Sequence, residues 1–315
     1  MSEFETCAAF SPGHITGFFQ IRDHSDPHIK GSIGAGLVLN QGICSEVTPY
    51  RGKGENAVYL NGVKQNSAES ANAVLTVISE LSKSAEQKYN SPFYFEIKEN
   101  ISLPIGSGFG LSAAGALSAA FAAGSALHLG LSDNTLIEIA HYAEIINGSG
   151  LGDVAGIAAG GLAVREIPGG SLHGKYYSVP LPKTDRRKKI YCLVLGELST
   201  KAVITNADCA GKINKAGAEA FKNFLKKPDL DSFMTESLSF TKSAGLLSSE
   251  AEAVIDSIDK ADGTAAQAMI GNTVFAVPSG REGADKYIFD LMRRFGDVYE
   301  CEIEANGPRV CSPPF

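Results

Sequence analysis

Pro104-Ile-Gly-Ser-Gly-Phe-Gly-Leu-Ser-Ala-Ala114 is the stretch on which the reading of this chain turns. Before it, Phe93, Phe95 and Ile97 alternate with polar neighbours, which predicts a strand over 92–98. After it, an alanine-rich segment without proline predicts a helix from Leu111 to about Leu127. Between them stand Gly106, Gly108 and Gly110. A strand running through a glycine turn into a helix builds an anion site. The first N–H groups of the helix have no partner within it, and the helix dipole favours negative charge there. Glycines let the backbone come close to phosphate oxygens. Ser112 falls in the first helical turn, within reach of a phosphate-bound Mg²⁺. The alternative is a Gly/Ala helix that is merely packed closely against a sheet.

Other nucleotide and nucleophile motifs are absent. There is no GxxxxGK[ST] and no GxSxG. Gly150-Leu-Gly-Asp-Val-Ala155 fits GxGxxA, but a helix is predicted before it where a strand is required.

Outward from the loop, Ala35–Val47 reads as a strand. Ala57–Leu60 reads as another, closed by the turn signal Asn61-Gly62. A helix over 68–88 carries Ala73, Val74, Val77, Ile78 and Leu81 on one stripe, and Asp133 is the expected cap of a helix reaching about Ile146. The charged run Lys183–Lys189 separates this half from a strand at 191–195, helices at 201–226, 230–243 and 248–260, a strand at 273–277, a helix at 282–295 and a strand at 298–304. The pattern predicts an α+β protein of two domains, 1–182 and 183–315.

The net charge of −7 removes a global basic footprint, so neither nucleic acid nor an anionic membrane is an expected partner. Residues 101–132 contain no Asp, Glu, Lys or Arg, but Ala and Gly contribute too little to insertion for a membrane span. The N-terminus is acidic where a signal peptide is basic. Six cysteines without CxxC or zinc spacing predict reduced thiols in the cytoplasm. Histidines 24, 28, 128, 141 and 173 show no ligand spacing either.

Residues 104–114 resemble the phosphate loop of the GHMP kinase superfamily, PxxxGLGSSAA. Ser11-Pro-Gly-His-Ile-Thr-Gly-Phe-Phe19 resembles its N-terminal motif, and Ala268-Met-Ile-Gly-Asn-Thr-Val-Phe275 a divergent form of its C-terminal glycine motif. Within the superfamily, 12–19, Gly31-Ser-Ile-Gly-Ala-Gly36 and 269–275 are most similar to the archaeal pantoate kinases. The resemblance implies an N-domain of the ribosomal protein S5 domain 2-like type with a left-handed βαβ unit, and a ferredoxin-like C-domain. It implies ATP held by Pro104, Gly106, Ser107, Gly108, Phe109, Gly110, Leu111, Ser112 and Ala113, and Mg²⁺ held by Ser112 and Glu144, with Glu138 as the alternative to Glu144. Leu111 departs from the family's first serine, and one hydroxyl contact to phosphate goes with it. Asp153 matches the aspartate beside the acceptor hydroxyl; the competing role is a helix cap. His14 takes the place where several relatives carry Lys or Arg.

The implied reaction is ATP-dependent phosphorylation of pantoate on the route to coenzyme A, in a cytoplasmic enzyme that could be a homodimer. Other small alcohols (homoserine, mevalonate, a sugar) and a non-catalytic regulatory role are the alternatives. Pantoate carries a carboxylate, for which His14, Arg22, Lys30, Arg165 and Lys201 are the candidates, with Thr16 and Ser32 as polar contacts.

Overall fold

The computed structural model describes residues 4–65, 71–196, 207–261, 263–269 and 271–312. Two long strands, β1 (Cys7–Arg22) and β2 (Gly31–Arg51), form an antiparallel pair that is the spine of the first sheet. β3 (Ala57–Leu60) turns through Asn61 and Gly62, both at positive φ, into β4 (Val63–Lys64), as the Asn-Gly signal predicts. α1 (Asn72–Tyr89) buries the predicted stripe and leads to β5 (Phe93–Ile101), which lies parallel to β3 and antiparallel to β2. α2 (Leu111–Ala126), α3 (Asp133–Asn147) and α4 (Asp153–Ala159) follow, then β6 (Leu162–Ile167) and β7 (Lys175–Val179). The cap of α3 is Ser132 rather than Asp133: the Ser132 side chain accepts from Thr135 N, and Asp133 sits in the first turn.

After the short α5 (Lys183–Arg186) the chain builds a second sheet. β8 (Lys189–Gly196) is followed by α6 (Ala207–Phe224), α7 (Leu230–Ala244) and α8 (Ser249–Asp259), then β9 (Gly263–Gln267), β10 (Asn272–Pro278), α9 (Ala284–Met292) and β11 (Val298–Glu302). Its order β11-β8-β10-β9, all antiparallel, is the ferredoxin-like arrangement. β12 (Arg309–Cys311) returns to the first sheet, where it pairs with β1.

α2 packs on β1 and β2, with α1 and α3 against it, and is buried on nearly every side. That close packing suits a helix made mostly of Ala, Gly and Ser, with Leu117 and Phe121 as the larger side chains buried along it. Phe18, Phe19, Phe224, Phe233 and Phe240 join β1 to α6 and α7 through ring contacts of 5.5–6.0 Å. No helix of the described residues is long and apolar enough to cross a membrane.

Under α2 lies one buried acid. Glu99 is 3% exposed and is held by Ser45 Oγ at 3.1 Å, and Ser45 in turn meets Ser118 Oγ at 2.6 Å. Burial raises its pKa from the ordinary 4.5 to about 7, against the lowering effect of the Ser45 bond. A carboxyl raised in this way stabilises the fold fully below 4.5, and that contribution is lost as pH climbs to and through about 7. Glu99→Gln should remove this loss. In urea unfolding at about pH 5 and about pH 8, the stability difference should move toward the variant by on the order of 2 kcal/mol. A difference that stays constant with pH would contradict the burial argument.

Candidate active site

The phosphate loop 104–110 is a turn whose three glycines sit at φ 76°, 92° and 61°, the left-handed region where a side chain is strained. Gly110 caps α2 with no side-chain bond, so the first-turn amides face outward with Ser112, which is exposed. Two other segments brace this loop. His14 N donates to Phe109 O at 2.9 Å, and Met269 N donates to Thr16 O at 3.0 Å. Thr273 Oγ1 donates to Ser107 O at 2.6 Å, while a Cβ on Gly271 would lie 2.5 Å from Gly108 Cα. The three motifs of the sequence therefore meet as backbone against backbone.

Asp153 opens α4 but does not cap it; Gly152 holds the cap position, and no side-chain cap bond forms. Instead Asp153 Oδ1 accepts from His14 Nδ1 at 2.7 Å and from Thr16 Oγ1 at 3.1 Å. The side chain is 26% exposed and adjoins Gly110 at the start of α2. Burial works to raise the Asp153 carboxyl. The His14 bond, the charge of Arg165 and the Thr16 bond outweigh it and hold the group below its ordinary range. His14 is fully buried, and burial pushes it below its usual pKa despite the Asp153 bond, with Arg165 adding to the fall. It is thus a neutral imidazole that donates from Nδ1 to an ionised Asp153, not a fixed cation.

Glu144, on α3, is 1% exposed, and its Oε2 has no partner. Burial and then the charge of Asp153 lift it well above the usual carboxylate range, while Val154 N and Arg165 pull the other way. Arg165, on β6, is 1% exposed, with Nε and Nη1 both unpartnered. Register places it opposite Gly34 of β2. A Cβ on Gly152 would touch both Ser32 Oγ at 2.4 Å and Arg165 Nε at 3.1 Å. One on Gly156 would touch His14 Nε2 at 2.5 Å and Arg165 Nη1 at 3.0 Å. These close approaches require glycine at both positions.

The structure thus gathers His14, Thr16, Ser32, Glu144, Asp153 and Arg165 beside the phosphate loop. It does not gather the other cations. Lys30 pairs with Asp23 at 2.8 Å, Arg22 donates to the side chain of Gln20, and Lys201 lies outside the described residues. Glu138, the alternative to Glu144, bonds His28 Nδ1 at 2.7 Å in a separate cluster. The brace from Thr273 and Gly271 was missed as part of the site. Its signal was the Gly-Asn-Thr of the third motif, where a glycine precedes a hydroxyl that can bond a carbonyl.

Comparison with known proteins places the chain in a family. Residues 68–161 match the GHMP kinases N terminal domain. The chain is 32% identical to the pantoate kinase of Methanocaldococcus jannaschii over 85% of its own length and 91% of that protein. It is 32% identical to the pantoate kinase of Thermococcus kodakarensis over 96% and 97%. A solved phosphotransferase related to the CoA biosynthesis pathway superposes with a TM-score of 0.86 at 29% identity, covering 99% of this chain and 100% of that one. A homoserine kinase from Cytophaga hutchinsonii shares the fold at a TM-score of 0.67 and 18% identity, with 99% of each chain covered. With the phosphate loop, its two bracing segments and this breadth of similarity, the chain belongs to the pantoate kinase family of the GHMP kinases.

Proposed function

We propose that this enzyme transfers the γ-phosphoryl group of ATP to the 4-hydroxyl of (R)-pantoate, giving 4-phosphopantoate and ADP. The observation that carries the reading is Arg165. It is a fully buried guanidinium with two free donors, set beside the acid that would take the proton. A hydroxy acid satisfies both ends, with its carboxylate on Arg165 and Ser32 and its hydroxyl at Asp153.

The phosphates of ATP lie on the first-turn amides of α2 and on the loop 104–110. The pantoate oxygen attacks phosphorus while its proton passes to Asp153. His14 and Thr16 hold Oδ1 of Asp153, which leaves Oδ2 to accept that proton. Glu144 and Ser112 are the residues that would hold Mg²⁺. The unpartnered Oε2 of Glu144 and its raised carboxyl fit a group awaiting a cation. The ion supplies neutralisation of phosphate charge. Six cysteines without CxxC or zinc-ligand spacing suit a reducing cytoplasm, where we place the reaction.

ADP release in the presence of ATP and Mg²⁺ tests the reading, with pantoate, homoserine and mevalonate assayed in parallel. Turnover is expected with pantoate. Turnover with homoserine or mevalonate alone would keep the kinase chemistry and reject the substrate.

A further inference from the structure

Spacing in the sequence gives no reason to join the histidines at 28 and 173. Folding brings both to one carboxylate. His28, Glu138 and His173 each offer a ligand atom within 4.8 Å of the others, and no other such group occurs among the described residues. They come from three elements: the turn 23–30 between β1 and β2, helix α3, and the turn 168–174 between β6 and β7.

The arrangement is held from several sides. Glu138 is 5% exposed. Its Oε1 meets His28 Nδ1 at 2.7 Å, and its Oε2 accepts from Leu172 N at 3.1 Å. Gly170 N donates to His28 O at 3.3 Å, and Gly174 N closes the turn onto Gly170 O at 2.6 Å. The His28 ring stacks on Tyr142 at 5.3 Å, and the His173 ring stands 6.0 Å from it on the solvent side. Two imidazoles and a carboxylate suit a borderline d-block cation. Mg²⁺ and Ca²⁺ prefer oxygen throughout. Three protein ligands leave a fourth position for water.

We propose that His28, Glu138 and His173 bind a divalent cation of the Zn²⁺ class, apart from the phosphate site, and that the ion clasps the turns 23–30 and 168–174 to α3. Binding displaces the proton held between His28 Nδ1 and Glu138 to water, so that Nδ1 can ligate the ion. Both turns border the pocket for the acceptor. The first runs into Gly31 and Ser32, and the second follows the strand that carries Arg165. A Cβ on Gly169 would lie 2.7 Å from His28 O, so the two turns already touch beside the start of β2.

The test uses the untagged, chelator-treated chain titrated with Zn²⁺ against a chromophoric chelator. Co²⁺ serves as a spectroscopic probe of nitrogen and oxygen ligation. One ion per chain is expected. His173→Ala, at an exposed position, should fold normally and weaken binding by about 10-fold or more. Zn²⁺ should raise the Tm of the wild type and leave that of His173→Ala unmoved. Equal affinity in the wild type and His173→Ala would place the ion elsewhere, for example at the thiols of Cys44 and Cys311, 3.8 Å apart, and would overturn the proposal. Wild-type binding no tighter than the millimolar range would overturn it as well.

Discussion

Asp153→Asn is expected to lower kcat by about 10²-fold or more, with ATP affinity almost unchanged. Asn is isosteric, and its side-chain oxygen still accepts from His14 Nδ1 and Thr16 Oγ1, so the surroundings of Gly110 and the phosphate loop stay as they are. What disappears is the acceptor for the proton of the attacking hydroxyl. Steady-state kcat and calorimetric ATP binding, measured on the same preparation, separate the two quantities. Turnover within a few-fold of wild type would show that positioning and charge neutralisation alone carry the reaction. Because Asp153 is held below its ordinary range, it stays ionised, and competent as a base, down to acid pH. The acid limb of the wild-type rate should accordingly fall below the usual carboxylate pKa.

Arg165→Lys is expected to raise KM for pantoate by about 10²-fold while changing KM for ATP little. Lys keeps the positive charge that Asp153 and Glu144 require, but it loses the planar fork that meets a carboxylate with two parallel bonds. Arg165→Met removes the charge as well, and with it the compensation that Arg165 gives buried Glu144 and half-buried Asp153. It should therefore lower Tm in addition to affinity. The pair of variants separates recognition from stability: Lys preserves the fold and reports on pantoate. An unchanged KM for pantoate in the Lys variant would remove Arg165 from substrate binding.

The parts of the site legible in the sequence are those whose chemistry is local. Glycines at 106, 108 and 110 announce a backbone that other residues resist, and the structure places all three at positive φ. Strand β5 and helix α1 show their period, since each buries a regular face, whereas α2, buried nearly all round, is legible only from its alanines and its lack of proline. Arg165 could not be chosen from five candidates for the carboxylate, because its distinction is burial, and burial comes from the pairing of β6 with β2. β1 is legible only as the 11–19 motif and β2 only over 35–47. Their glycines at 17, 36 and 42 look like breaks, whereas in the fold each lies against a neighbouring backbone or side chain, with Phe233, His14 and Ser11 among the closest. His28 and His173 belong to turns on either side of α3, so no spacing rule could unite them.

The brace between Thr273 and Ser107 spans 166 residues of sequence. During synthesis at roughly 5–20 residues per second, that separation amounts to roughly 8–33 seconds. For this interval the phosphate loop has left the ribosome, but the turn that backs it does not yet exist. The left-handed glycine conformations of the loop are then unsupported from one side. A nascent chain is therefore expected to fix the shape of this loop late, in the step that folds β10 onto it, however early β1, β2 and α2 come together.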